Sequence, residues 1–214
     1  MNALACVGLA WAMRSGPTLF SRLYAMPWYR DELQAWARPG IEPGTHVLEL
    51  GCASGELSSF MHRLGAKVTA VDKSPAMLAR AERLRSGPRY LMADATQLPL
   101  HDAELDRVLA ASLLNVLPDA RAALREWRRV LRPGGQLSLL QPARGFTDAD
   151  LRRLLGRLAL RGVEAMGLRC WHRMAHKLDA DELAAWCVEA GFDEVQVQPR
   201  LGGMLCAVRA RVPV

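Results

Sequence analysis

An α/β fold, a doubly wound, mostly parallel seven-stranded sheet with an antiparallel C-terminal hairpin, is the class this sequence predicts, on three observations. Beyond residue 45, short β-branched or leucine-rich runs alternate with longer segments of helical apolar spacing. The last two runs lie too close together for a helix to fit between them, so they must pair antiparallel. Half of the 214 residues are hydrophobic and 23% are charged, which is material for one domain with a sizeable core.

Taken in order, the strands are expected at His46 to Leu50, Lys67 to Val71, Tyr90 to Met92, Arg107 to Ala111 and Gln136 to Leu140. Glu194 to Val197 and Met204 to Arg209 form the closing pair. Helices fill the gaps in "GELSSFMHRLG", "SPAMLARAERLRSG", "DARAALREWRRVLRPGG" and "DADELAAWCVEAGF", each with apolar residues at helical spacing. Ser74 before Pro75 reads as a helix start, and Gly65, Gly87, Gly134 and Gly191 follow the helices they are expected to stop. "RPGG" reads as a structural turn between helix and strand. Two regions fall outside the scaffold. Residues 1–40, with Phe20, Tyr24, Trp28, Tyr29 and Trp36, are expected to form a helical lid segment beside a main domain over 41–214, and 143–178 form a basic insertion after the fifth strand.

Composition excludes some classes. Five cysteines (Cys6, Cys52, Cys170, Cys187, Cys206) are odd in number and show no CxxC pair, so reduced thiols, no structural zinc and a cytoplasmic location are expected. The opening "MNALACVGLAWAM" is too short to span a bilayer and has no basic residue before it, as a secretory signal would. A net charge of +6 suits an anionic substrate or an acidic surface without demonstrating either.

The chemistry starts at "VLELGCASGELS". Gly51 and Gly55 allow a ligand to lie directly on the backbone where the first strand ends, the place at which ligands bind in doubly wound sheets. Asp72 ends the second strand about 20 residues after Gly51, positioned to accept ribose hydroxyls. A nicotinamide dinucleotide would share that spacing, but Glu49 beside the turn would repel a diphosphate, and no third glycine stands at the pyrophosphate position. A cationic ligand suits the turn better. Asp94 after the third strand could accept from an adenine amino group, with Ala95 and Leu98 against its ring. Ribose, adenine and a cationic amino-acid portion together describe S-adenosylmethionine. Taken singly, Asp72 or Asp94 could equally be a loop carboxylate or a helix cap; together at strand ends beside a glycine turn they favour a site.

The ordered set "VLELGCASGELS", "VTAVDKSPAML", "MADATQLPL" and "EWRRVLRPGGQLSLL" resembles the successive motifs of class I S-adenosylmethionine-dependent methyltransferases from about Thr45 to Ala210, and "LDADELAAWCVEAGF" resembles their last helix. The nearest broad group is the small-molecule branch that includes ubiquinone and menaquinone C-methyltransferases, with a Rossmann-like sheet. The resemblance implies that Glu49 and the turn at Gly51, Cys52, Ala53 and Gly55 hold the methionine portion. It implies Asp72, followed by Lys73, at the ribose, Asp94 and Ala95 at the adenine, Met77 beside the adenosine, and Ser112 on the sulfonium side. Ala53 and Ser54 depart from the family's more usual glycine and hydroxyl residue.

A methyl on sulfonium is already electrophilic, so transfer needs alignment and exclusion of water, and a base only where the acceptor atom carries a proton. Candidates for that base are Tyr24, Tyr29, His101, His172 and His176; the last two share one helix face if "CWHRMAH" is helical. For each histidine alone a solvated or structurally bonded state is the simpler reading. A metal site would need more ligands, so none is expected. Residues 145–178 carry seven basic residues against three acidic, and Leu151, Leu154, Leu155 and Leu158 form one stripe behind a Thr147–Asp150 capping box. That insertion is expected to cover the sheet, with a substrate role kept for Arg169 to Lys177; an anionic substrate or weak membrane-surface contact is the sharper alternative. The expected reaction is methyl transfer to a small acceptor, apolar or anionic, in an enclosed pocket. Competing readings are a cofactor-binding regulatory protein without turnover, and a methyltransferase for RNA, protein or a thiophilic metalloid. "ASLLNVLPD" after the fourth strand has no cysteine for the metalloid and resembles no base-methylating loop. The aromatic N-terminal segment favours enclosing a small ligand over an open nucleic-acid groove.

Overall fold

The computed structural model describes residues 26–214. Seven strands form one sheet: β1 His46–Leu50, β2 Lys67–Asp72, β3 Arg89–Met92, β4 Leu105–Ala111, β5 Leu131–Pro142, β6 Asp193–Arg200 and β7 Leu205–Arg211. Their order across it is β3-β2-β1-β4-β5-β7-β6. Pairing is parallel from β3 to β5, and β7 runs antiparallel to both β5 and β6. The chain therefore reverses direction of travel across the sheet between β1 and β4, and the carboxyl ends of those two strands bound the crevice where ligands collect in such sheets.

The described helices are α1 Pro27–Ala37, α2 Glu56–Arg63, α3 Pro75–Leu84, α4 Ala120–Val130, α5 Asp148–Arg157, α6 Gly162–Met174 and α7 Ala180–Glu189. Alternate residues of the central strands feed two cores. One joins Val47, Val68 and Leu109 to Leu33 and Trp36 of α1, Met61 of α2 and the leucines of α5. The other joins Leu48, Leu50 and Val108 to Leu124 and Trp127 of α4 and Leu183 of α7. Burial of both strand faces is why the middles of these runs are mainly apolar, with Glu49 and Arg107 as buried exceptions. The insertion and α1 thus share one face, where Trp28, Tyr29, Leu154 and Trp171 are all buried. None of the described helices is long and apolar enough to cross a membrane.

Start signals read from sequence act as expected. Ser74 Oγ accepts the Met77 N–H with Pro75 in the first turn, and Thr147 and Asp150 form a reciprocal capping box. Two stop signals do not. α4 ends at Val130, four residues before Gly134, and "LRPGG" belongs to β5, because Leu131 already pairs with Leu105 across a bulge. Gly87 likewise stands beyond Arg85, where α3 is capped. Residues 175–178 are also outside helix: α6 ends at Met174, so His176 does not share a helix face with His172. Of the expected lid segment, Phe20 and Tyr24 lie outside the described residues, as does Cys6.

Candidate functional site

The loop after β1 is folded on itself. Gly51 and Cys52 both donate to the Val71 carbonyl, at 2.8 and 3.0 Å, and Gly55 donates to Cys52 at 2.9 Å. Three alternate residues hold positive φ: Gly51 at 70°, Ala53 at 48° and Gly55 at 77°. Glycine is favoured there because a side chain at such φ is strained, and at Gly55 a Cβ would also strike the Tyr90 hydroxyl. Ala53 carries the strain instead, and its N–H is fixed by a 2.9 Å bond to Asp72 Oδ2. Asp72 Oδ1 accepts from the Ser74 N–H at 2.9 Å, so two backbone bonds fix this carboxylate while its remaining lone pairs stay available.

Glu49 lies beneath the turn, 2% exposed, and accepts a short hydrogen bond from the Ser58 hydroxyl of α2. Burial pushes its carboxyl up to about 8; Ser58 opposes this, and the neighbouring Glu56 and Asp72 charges reinforce it. Three carboxylates therefore converge on one small turn. Glu56 opens α2, accepts from Ser54 Oγ and lies 3.7 Å from Arg85. An acidic cup of this kind repels a diphosphate and fits a ligand that brings positive charge. Cys52 is buried among the same carboxylates and its thiol is pushed upward by burial and then by Glu49, which keeps it protonated.

The remaining predicted residues stand beyond the carboxyl ends of β2, β3 and β4. Met77 is buried in α3, and Lys73 is exposed next to Asp72. Asp94, exposed after β3, accepts from the Thr96 N–H at 2.8 Å and hydroxyl at 2.6 Å, which hold its carboxyl below the usual range, with Lys73 adding to this. The Ala95 carbonyl accepts from the buried Trp127 indole at 2.8 Å, tying that loop to the core. Ser112 follows β4 at φ 51°, buried, with its N–H on the Leu140 carbonyl at 2.8 Å and its hydroxyl beside the Tyr29 phenol.

Among the base candidates, Tyr29 is buried beside Ser112; burial raises its phenol to about 12 and Ser112 partly offsets that. Its ring stands edge-on to Trp171 at 5.0 Å, and Trp28 lies 6.3 Å from the same indole, its own N–H without an acceptor among the described residues. His172 is buried, with Nε2 3.4 Å from Asp148 Oδ1 and Nδ1 without a partner among the described residues. Burial and Lys177 lower its pKa against the opposing pull of Asp148, which leaves it neutral at physiological pH. His176 is exposed, and its carbonyl accepts from Asn115 Nδ2. His101 precedes the amino end of β4, the opposite end of the strands from the crevice, with its N–H on Glu104. Tyr24 is outside the described residues. Ser58, Glu56, Tyr90 and Trp127 were not legible as site residues, because each reaches the turn or its flank through the fold and not through local spacing.

Comparisons with known proteins agree with this geometry. Residues 48–139 match the model of a family described as a methyltransferase domain. The demethylmenaquinone methyltransferase of Renibacterium salmoninarum is 30% identical over 186 residues, covering 80% of this chain and 76% of that protein. A malonyl-[acyl-carrier protein] O-methyltransferase of Serratia marcescens is 39% identical over 93 residues, which cover 44% of this chain and 36% of that protein. In fold, the chain is similar to a SAM-dependent methyltransferase from Aquifex aeolicus, with a TM-score of 0.69 at 20% identity over 92% of this chain and 98% of that one. An acidic glycine turn at the switch point of a 3-2-1-4-5-7-6 sheet, together with relatives that match along most of the chain, places this protein in the class I S-adenosylmethionine-dependent methyltransferases.

Proposed function

We propose that this enzyme methylates a small-molecule acceptor in an enclosed pocket over the carboxyl end of β4, with S-adenosylmethionine held along the ends of β1, β2 and β3. The acidic cup carries the reading: Glu49, Asp72 and Glu56 around a turn with three positive-φ residues suit a ligand with an ammonium and a sulfonium. The cofactor supplies a methyl group already activated for displacement. Glu49 and the turn at Gly51, Cys52, Ala53 and Gly55 would hold its amino-acid end. Asp72 beside Lys73 would accept the ribose hydroxyls, Asp94 and Ala95 would border the adenine, Met77 would pack on the adenosine, and Ser112 would face the reacting side.

The acceptor's walls in this reading are Tyr29, Trp28 and Trp171, which share one apolar cluster with Ala53 and Met77. A phenol raised to about 12 stays protonated, so Tyr29 acts by donating a hydrogen bond and not by taking a proton. His172, neutral with Nε2 on Asp148, lies behind Trp171 between α5 and α6, so this reading gives it no proton transfer in the crevice. Exclusion of water falls to the three aromatics, Trp28 and Tyr29 of α1 and Trp171 of α6. Of the relatives named above, the demethylmenaquinone methyltransferase is named for a small-molecule acceptor of this class, whereas the malonyl-[acyl-carrier protein] O-methyltransferase is named for a group borne on a protein.

Incubation with methyl-labelled S-adenosylmethionine and a fractionated bacterial extract tests the proposal. Label is expected in the low-molecular-mass fraction and reduced with Tyr29→Phe. Label found only in RNA or protein would overturn it.

A further inference from the structure

A second cavity lies away from the glycine turn, on the outer side of the insertion. It occupies about 620 Å³ between α5 and α6. Its rim carries Arg152 from α5, Arg169 and Arg173 from α6, and Lys177 just after it. None of these four cations makes an ion pair with a carboxylate among the described residues. The cavity's one carboxylate, Asp148, is 3.4 Å from His172 Nε2. The other arginines of α5 behave differently: Arg153 pairs with Asp150, and Arg157 lies against Gly202. Arg152 therefore faces away from them, and the fold gathers it with the cations of α6.

The floor is apolar. Leu151, Met166 and Cys170 line it. Met166 and Cys170 lie on one helical stripe with Val163 and Met174, which are 69% and 54% exposed although α6 buries Leu168 and Trp171 on its other side. An apolar floor under a rim of four uncompensated cations matches one kind of chemistry, a hydrocarbon or aryl body that ends in an anionic head. Arginine suits a phosphate or carboxylate head because its planar fork bonds two oxygens at once. Met166 adds a deformable surface for the adjoining carbons.

We propose that the α5–α6 groove is a binding site for an amphiphilic small-molecule anion, its head held by Arg152, Arg169, Arg173 and Lys177 and its first carbons on Met166 and Leu151. His172 forms part of its wall and the adjacent Trp171 packs on Tyr29, so the groove backs directly onto the aromatic wall of the crevice. The site stands on its own residues and does not depend on where the cofactor lies.

The test uses the full chain and calorimetric titration with octyl phosphate below its micelle concentration, inorganic phosphate, and phosphatidylglycerol vesicles. Octyl phosphate is expected to bind at least tenfold tighter than inorganic phosphate, since burying even two methylenes suffices for that ratio. Arg169→Gln with Arg173→Gln should weaken it by at least a further factor of ten, because each removes a charge-assisted contact. Arg161→Gln, outside the groove, should leave it unchanged. Equal affinity in the double variant, no preference for the octyl chain, or binding to vesicles without binding to the monomer would each overturn the proposal. S-adenosylmethionine is titrated in parallel. Its failure to bind while octyl phosphate binds would sink the proposed function and leave the groove standing.

Discussion

Replacing Glu49 by Gln should stabilise the protein without ligand and flatten its response to pH. The carboxyl is moved from its ordinary 4.5 to about 8, chiefly by burial, so between those values the folded state holds a proton that the unfolded state has released. Stability is then fully present below about 4.5 and is lost as pH rises through 8. At about 1.4 kcal/mol for each pH unit, the full amplitude is about 5 kcal/mol. Glutamine keeps an oxygen for the Ser58 hydroxyl and does not ionise, so that loss should vanish. Urea unfolding at pH 5, 6.5 and 8 measures it: the parent should weaken across the series while the variant stays level and is the more stable at pH 8. Superimposable pH dependence of the two would refute the reasoning. The same site gives a ligand signature, since an ammonium placed beside Glu49 favours its ionised form. At pH 7, S-adenosylmethionine should expel close to one proton on binding, read from calorimetry in buffers of different ionisation enthalpy, and the variant should expel none.

Trp127→Phe removes the bond that fixes the Ala95 carbonyl, and should cost about 1–2 kcal/mol of stability while weakening cofactor affinity severalfold; urea unfolding and titration together check this. Tyr29→Phe should fold and bind cofactor like the parent but lose turnover, measured as methyl transfer, because it removes only the hydroxyl beside Ser112. Leu154→Ala hollows the core under α5 and should cost about 2–5 kcal/mol, seen as a lower Tm with cofactor affinity little changed.

The sheet was legible because burial on both faces writes itself into sequence as short apolar runs. His46 to Leu50 is matched residue for residue, and the closing pair was forced by its spacing. The start of β5 is hidden in the sequence because Pro133, Gly134 and Gly135 carry the composition of a turn, whereas tertiary pairing of Leu131 with Leu105 and the Gly134 N–H bond to Val212 draw them into the strand. β6 extends beyond the expected Glu194 to Val197 to Asp193–Arg200 for a related reason. Pro199 cannot serve a central ladder, yet β6 is an edge strand and accommodates it. At the candidate site, the folded turn at Gly51 and Gly55 and the strand-end place of Asp72 were legible from residue type and spacing. Ser58 and Tyr90 did not, because a hydroxyl has no fixed partner until α2 and β3 are packed against the turn. The histidine pair illustrates the same limit: "CWHRMAH" has helical spacing, but α6 stops at Met174, where residues 176–178 are drawn out by Asn115 and by the Ala143–Leu178 bridge.

The most direct test of the central claim is calorimetric titration of S-adenosylmethionine into the parent and into Asp72→Ala. Asp72 bonds the Ala53 and Ser74 N–H groups and, in this account, accepts the ribose hydroxyls, charged-acceptor contacts worth about 1.5–3 kcal/mol. The account predicts saturable binding to the parent and at least a tenfold loss in a variant shown by circular dichroism to be folded. Unchanged affinity in the folded variant would contradict it.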